Sequence, residues 1–118
     1  MVEEILLKRL VKDLLGVKGV EGAVISSADG VPLATSNGGA EDMGSLAVLL
    51  GATSEEMVSH LSLGSLTEAY IEGPDYKFLT INRGGYVIGI LLAKKVSTTL
   101  LRKEITPLLE GILTDKEV

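Results

Sequence analysis

The chain has no cysteine and no tryptophan, and its 118 residues include one phenylalanine, three tyrosines and a single histidine. Without cysteine there can be no disulfide and no thiolate metal site. With His60 as the lone imidazole, the commonest general base and metal ligand is nearly gone. The chain is 46% hydrophobic yet poor in aromatics, so its core must be aliphatic, built from Leu, Ile, Val and Ala. Glutamine is absent and asparagine occurs only at positions 37 and 82, a depletion of thermolabile side chains that goes with hot-growing sources. No apolar run approaches the ~20 residues of a membrane span. The opening Met1-Val2-Glu3-Glu4 is acidic where a secretory leader is basic. A cytoplasmic protein without membrane insertion is expected. Positive charge is also scarce where a nucleic-acid binder would need it. Nine acids face two bases between Gly19 and Ala93, while the flanks hold nine bases and seven acids. That is the reverse of a basic footprint, so nucleic acid is excluded as a partner.

What remains is enough for one domain over residues 1–118, with a real core. Ile5, Leu6, Leu7, Leu10, Val11, Leu14 and Leu15 recur at helical spacing opposite Lys8, Arg9, Lys12 and Asp13, with Gly16 as a left-handed stop. Gly22 to Ser27 reads as a strand, Asp29-Gly30 as a turn and Val31 to Ser36 as a second strand. Pro32 places that second strand at an edge. A long helix follows from Ala40 to Leu63, then strands over Ser65 to Glu72, Tyr76 to Arg83 and Tyr86 to Ala93. Gly73-Pro74-Asp75 and Gly84-Gly85 are the turns between them. The last of these strands is apolar in both alternations, so it should be central and covered on both faces. Ser97 can cap a final helix whose periodicity runs through Pro107, with a kink or bent continuation there. The order α-β-β-α-β-β-β-α gives a mixed α/β (α+β) fold, an antiparallel sheet with helices on both faces.

The long helix carries more apolar surface than one contact uses. Met43, Leu46, Ala47, Leu50, Met57, Val58 and Leu61 form one stripe, and Val48, Leu49 and Ala52 stand outside it. Gly44, Ala47, Gly51 and Ser54 form a seam of small residues, which either lets the helix lie close on its own sheet or admits the helix of a second copy. The apolar positions outside the stripe need a second contact surface and tip the reading toward a second copy. The third strand, Leu66 to Ile71, has neither Lys nor Pro to protect it, so it should be a pairing edge. The expected dimer interface is therefore Gly44, Ala47, Val48, Gly51, Ser54, Val58, Leu66, Ala69 and Ile71. Glu41, Asp42, Glu55 and Glu56 form an acidic surface on the same helix, the candidate contact for a basic partner.

Catalytic constellations are missing. Gly16-x-x-Gly19-x-x-Gly22 follows a helix and precedes a strand, so it lacks the helix N-terminus that a phosphate loop needs and reads as a connection. Glu41-Asp42 and Glu55-Glu56 are adjacent on a helix and cannot share a site as a catalytic dyad. Arg9, Arg83 and Arg102 read as solvated or salt-bridged. No nucleophile, base and orienting group come together, so no enzymatic activity, cofactor or metal is expected.

Val17 to Ser36, Val-Lys-Gly-Val-Glu-Gly-Ala-Val-Ile-Ser-Ser-Ala-Asp-Gly-Val-Pro-Leu-Ala-Thr-Ser, resembles the first hairpin of the roadblock/dynein light chain domain family. Leu63-Gly64-Ser65-Leu66 and Ile71-Glu72-Gly73 resemble that family's passage from the long helix into the third strand. The resemblance covers nearly the whole chain. It implies a five-stranded sheet in the order 2-1-5-4-3, with the first and last helices on one face and the long helix on the other. It also implies homodimerisation through the long helix and the third strand, and a small Ras-like GTPase as partner, for which the chain would be a non-enzymatic adaptor or regulator. A structural subunit of a larger assembly and a small-molecule sensing domain are the alternatives. The almost wholly aliphatic core positions argue against the sensing domain.

Overall fold

A computed structural model describes residues 2–27, 31–36, 53, 56–61, 68–83 and 85–117, with side chains described from Glu4 to Glu110 within these. The elements are α1 (Val2–Leu15), β1 (Val20–Ser27), β2 (Pro32–Thr35), a helical segment α2 at 56–60, β3 (Glu68–Glu72), β4 (Tyr76–Arg83), β5 (Tyr86–Ala93) and α3 (Thr98–Glu117). The five strands form one antiparallel sheet in the order β2-β1-β5-β4-β3, with α1 and α3 packed on one face. β5 lies in the middle and β2, which opens at Pro32, lies at an edge, as its missing N–H requires. The β4–β5 hairpin closes from Arg83 to Tyr86, with Gly85 at a φ of 82° that the tight turn demands. No helix among the described residues is long and apolar enough to cross a membrane.

Residues directly opposite in an antiparallel pair share a face, so the register sorts the sheet into two surfaces. Ala23 and Ile25 of β1, Ile88 and Ile90 of β5, and Leu79 of β4 point to the face that α1 and α3 cover. There they meet Leu7, Leu10, Val11 and Leu14 of α1 and Leu101, Ile105 and Leu109 of α3 in one aliphatic core. Ile5 lies on the far side of α1 and is 64% exposed, so the buried stripe is narrower than the helical spacing suggested. Helix α1 ends at Gly16, whose N–H bonds Lys12 O and Asp13 O, but the left-handed glycine of this junction is Gly19, with φ 95°. Helix α3 is capped by Ser97 Oγ on the Leu100 N–H and continues through Pro107.

The opposite face is chemically different. It presents Gly22, Val24 and Ser26 from β1, Val87, Gly89 and Leu91 from β5, Phe78, Thr80 and Asn82 from β4, and Ala69 and Ile71 from β3. Ser26 and Thr80 are fully buried, and Ser26 Oγ, Thr80 Oγ1 and Asn82 Oδ1 have no hydrogen-bond partner among the described residues. The expected, almost wholly aliphatic core is thus found on the α1 and α3 face, where Tyr86 joins it, while the other face also buries two hydroxyls. A buried hydroxyl left without a partner costs its desolvation. Thr80→Val should therefore raise the stability measured by urea denaturation by about 1 kcal/mol. Destabilisation of that size would show that the hydroxyl has found a partner.

Candidate self-association surface

Strand β3 pairs with β4 alone, and its other side has no strand partner among the described residues. The hydrogen bond from Gly73 N to Tyr76 O, 2.9 Å, closes the β3–β4 hairpin and fixes the phase of its ladder. Hydrogen-bonded and non-bonded pairs then alternate from that point. Ile71 opposite Phe78 and Ala69 opposite Thr80 turn their N–H and C=O toward β4. Glu68, Tyr70 and Glu72 turn theirs outward, where another strand could take them. This five-residue edge has neither Lys nor Pro, the usual protection of an exposed edge.

Between the glutamates of this edge, its two large hydrophobic side chains are open. Ile71 is 52% exposed and Ala69 half-buried, both on the face opposite α1 and α3. Tyr70 is 44% exposed on the other face, where its hydroxyl donates to Glu72 Oε1 at 2.8 Å. That bond raises the phenol above the ordinary tyrosine range, with burial and the Glu72 charge adding to it and Arg102 opposing. Glu68 pairs with Arg102, which ties β3 to α3, and Arg83 pairs with Glu110 at 3.8 Å. Two of the three arginines are thus engaged inside the chain. In α2, Val58 is half-buried while Met57 and Leu61 are 60% and 64% exposed. The apolar stripe to which spacing assigns them is open to solvent at both positions. Glu56 and His60 are exposed on the same segment.

Of the residues expected at the interface, the structure describes Val58, Ala69 and Ile71, and Glu56 is the described member of the acidic surface. Gly44, Ala47, Val48, Gly51, Ser54 and Leu66 lie outside the described residues, as do Glu41, Asp42 and Glu55. Sequence reasoning did not single out Tyr70, and it named Met57 and Leu61 only as members of the long helix's apolar stripe. The outward phase of Tyr70 becomes readable only with the Gly73 N to Tyr76 O hydrogen bond, counting back along the ladder.

The alternation separates two substitutions. Tyr70→Pro removes an outward N–H, so it should abolish pairing at this edge and leave the fold intact. Ala69→Pro removes an inward N–H and should destabilise the monomer itself, by ~3 kcal/mol or more if β tolerates proline no better than a helix does. Sedimentation analysis with thermal melts checks both, and equal effects from the two prolines would show that the edge is not used.

The chain matches the Roadblock/LC7 domain model over residues 6–93. It is 30% identical over 105 residues to an uncharacterised protein of Methanocaldococcus jannaschii, covering 86% of this chain and 88% of that one. Among solved structures, a Roadblock/LC7 domain from Streptomyces avermitilis superposes with a TM-score of 0.80 at 18% identity, covering 98% of both chains. The gliding protein MglB of Thermus thermophilus superposes with a TM-score of 0.83 at 11% identity, covering 99% of this chain and 93% of that one. These two structures bear on the fold alone. The model match and the archaeal relative go further: this chain belongs to the Roadblock/LC7 domain family.

Proposed function

We propose that the chain is a non-enzymatic homodimeric adaptor or regulator of a small Ras-like GTPase. The observation that carries the reading is the unprotected edge of β3 with Tyr70 and Ile71 open beside it, together with Met57 and Leu61 left open on α2. Two copies meeting at β3 would extend one sheet to ten strands and bring their α2 helices side by side. The seam expected at Gly44, Ala47, Gly51 and Ser54, with Val48 beside it, would let the two long helices expected over Ala40 to Leu63 approach closely, and Val58, Leu66, Ala69 and Ile71 would complete the contact. A two-fold axis repeats every such contact, which gives a small interface twice its effect.

The GTPase reading rests on the family, together with the charge of the middle segment. Glu41, Asp42, Glu55 and Glu56 would give the paired helices an acidic surface that steers a partner with a basic patch. No arginine finger would come from that face, because the expected long helix from Ala40 to Leu63 has no arginine in the sequence. Stimulation of hydrolysis would come from ordering the GTPase's own switch loops. One observation favours small-ligand binding, the unpartnered Ser26, Thr80 and Asn82 on one face. Yet Ser26 and Thr80 are closed off completely, whereas the β3 edge is open, so the adaptor reading is preferred.

The test is recovery of a Ras-like GTPase on the immobilised dimer, followed by titration against the double variant Glu55→Lys with Glu56→Lys. The expected result is at least tenfold weaker binding to the variant and a flatter salt dependence, since exposed charges act over a Debye length of ~8–10 Å. Unchanged affinity and salt dependence would place the partner on the α1 and α3 face. A dimer that recovers no GTPase would leave the structural-subunit reading.

A further inference from the structure

Two loops meet where α1 ends and α3 begins, residues 16–19 and 94–97. Gly19 is the pivot. A Cβ built there would fall 2.0 Å from Val96 Cγ2, and its φ of 95° is one that other residues rarely adopt. The second loop is held from several sides. Ala93 N donates to Gly19 O at 3.0 Å, Val96 N to Ala93 O at 3.1 Å, and Lys94 N to Asp75 O at 3.3 Å. Lys77 Nζ donates to Val96 O at 3.1 Å. The turn is therefore fixed by the first loop, by β4 and the turn before it, and by its own backbone.

Beside it opens a cleft of about 600 Å³ lined by Lys18, Lys95, Val96, Leu100, Leu101 and Glu104. That volume lies within the roughly 300–1,000 Å³ usual for ligand sites. Leu101 is buried and makes a floor, while Leu100 is 63% exposed at the lip, an aliphatic side chain left open among charges. Lys18 and Lys95 are exposed, Lys94 is adjacent in sequence, and neither loop contains an acid. The first turn of α3 also lacks an acidic residue, so nothing there offsets the lysines, and Glu104 is the one acid in the lining.

We propose that this cleft binds a short acidic peptide segment of a partner protein. An aliphatic side chain of the peptide lies against Val96, Leu100 and Leu101, and a neighbouring carboxylate takes the ammonium groups of Lys18 and Lys95. Charge complementarity selects the acid, and the aliphatic floor selects a peptide over a free inorganic anion. The preformed turn lowers the ordering cost of binding. The cleft uses neither β3 nor α2, so it stands or falls independently of the dimer.

The experiment is an amide chemical-shift titration of the full chain with the peptide acetyl-Glu-Leu-Asp-Leu-Glu-amide, beside its neutral counterpart acetyl-Gln-Leu-Asn-Leu-Gln-amide and inorganic phosphate. The acidic peptide should shift Gly19, Val96, Ser97 and Leu100, with a Kd on the order of 1 mM or tighter, a range open to weak peptide contacts. Lys18→Glu with Lys95→Glu should weaken it at least tenfold, and Leu100→Ala should weaken it without altering the salt dependence. Equal binding of the neutral peptide, the same shifts from phosphate alone, or shifts confined to other surfaces would each overturn the proposal.

Discussion

The structure depends on the burial of β5 from both sides. Its eight residues pair along their length with β1 and β4, and its two alternations serve different layers. Ile88, Ile90 and Leu92 join the aliphatic core under α1 and α3. Val87 and Gly89 are buried against the other layer. A strand with no polar alternation has no solvent side and can only be central. Once it is central, β1 and β4 take its flanks, and β2 and β3 become the edges. With β1 and β4 paired to it, the unpaired edges fall on β2 and β3.

The two edges are not equivalent. β2 is four residues long and opens with a proline that cannot donate. β3 has no such device. Its outward-phase residues, Glu68, Tyr70 and Glu72, have their side chains engaged on the α3 face: Glu68 with Arg102, Tyr70 with Glu72. These contacts hold the strand extended while leaving its outer N–H and C=O row to another strand. Exposed ion pairs of this kind contribute little stability, so their effect here is to orient.

How much of this was legible in the sequence depends on which signal a residue carried. The bounds of β4 and the start of β5 follow directly from turn chemistry, because Gly73-Pro74-Asp75 and Gly84-Gly85 flank them. The start of β1 does not: Val20 already pairs with Leu92, across a register irregularity before Gly22, and the glycines hide it. Gly16 and Gly19 are alike as letters, and only the approach of Val96 decides that Gly19 is the left-handed one. Met57 and Leu61 fit a buried stripe by spacing, but periodicity cannot say whether the covering surface belongs to the same chain. Ser26 and Thr80 looked like ordinary strand residues, and their burial emerges only when the ladder puts both on one face. The edge itself was legible, from missing lysine and proline, although its outward phase needed the hairpin hydrogen bond.

The central claim is that the outer row of β3 is a pairing row, and residue-resolved amide exchange measured across a range of protein concentrations tests it most directly. Above the dissociation constant, the amides of Glu68, Tyr70 and Glu72 should be protected like those of Ala69 and Ile71. On dilution, only the three outward amides should lose protection, because the other two remain bonded to β4. Fast exchange of Glu68, Tyr70 and Glu72 at every concentration would contradict the account, and so would simultaneous loss of protection by all five.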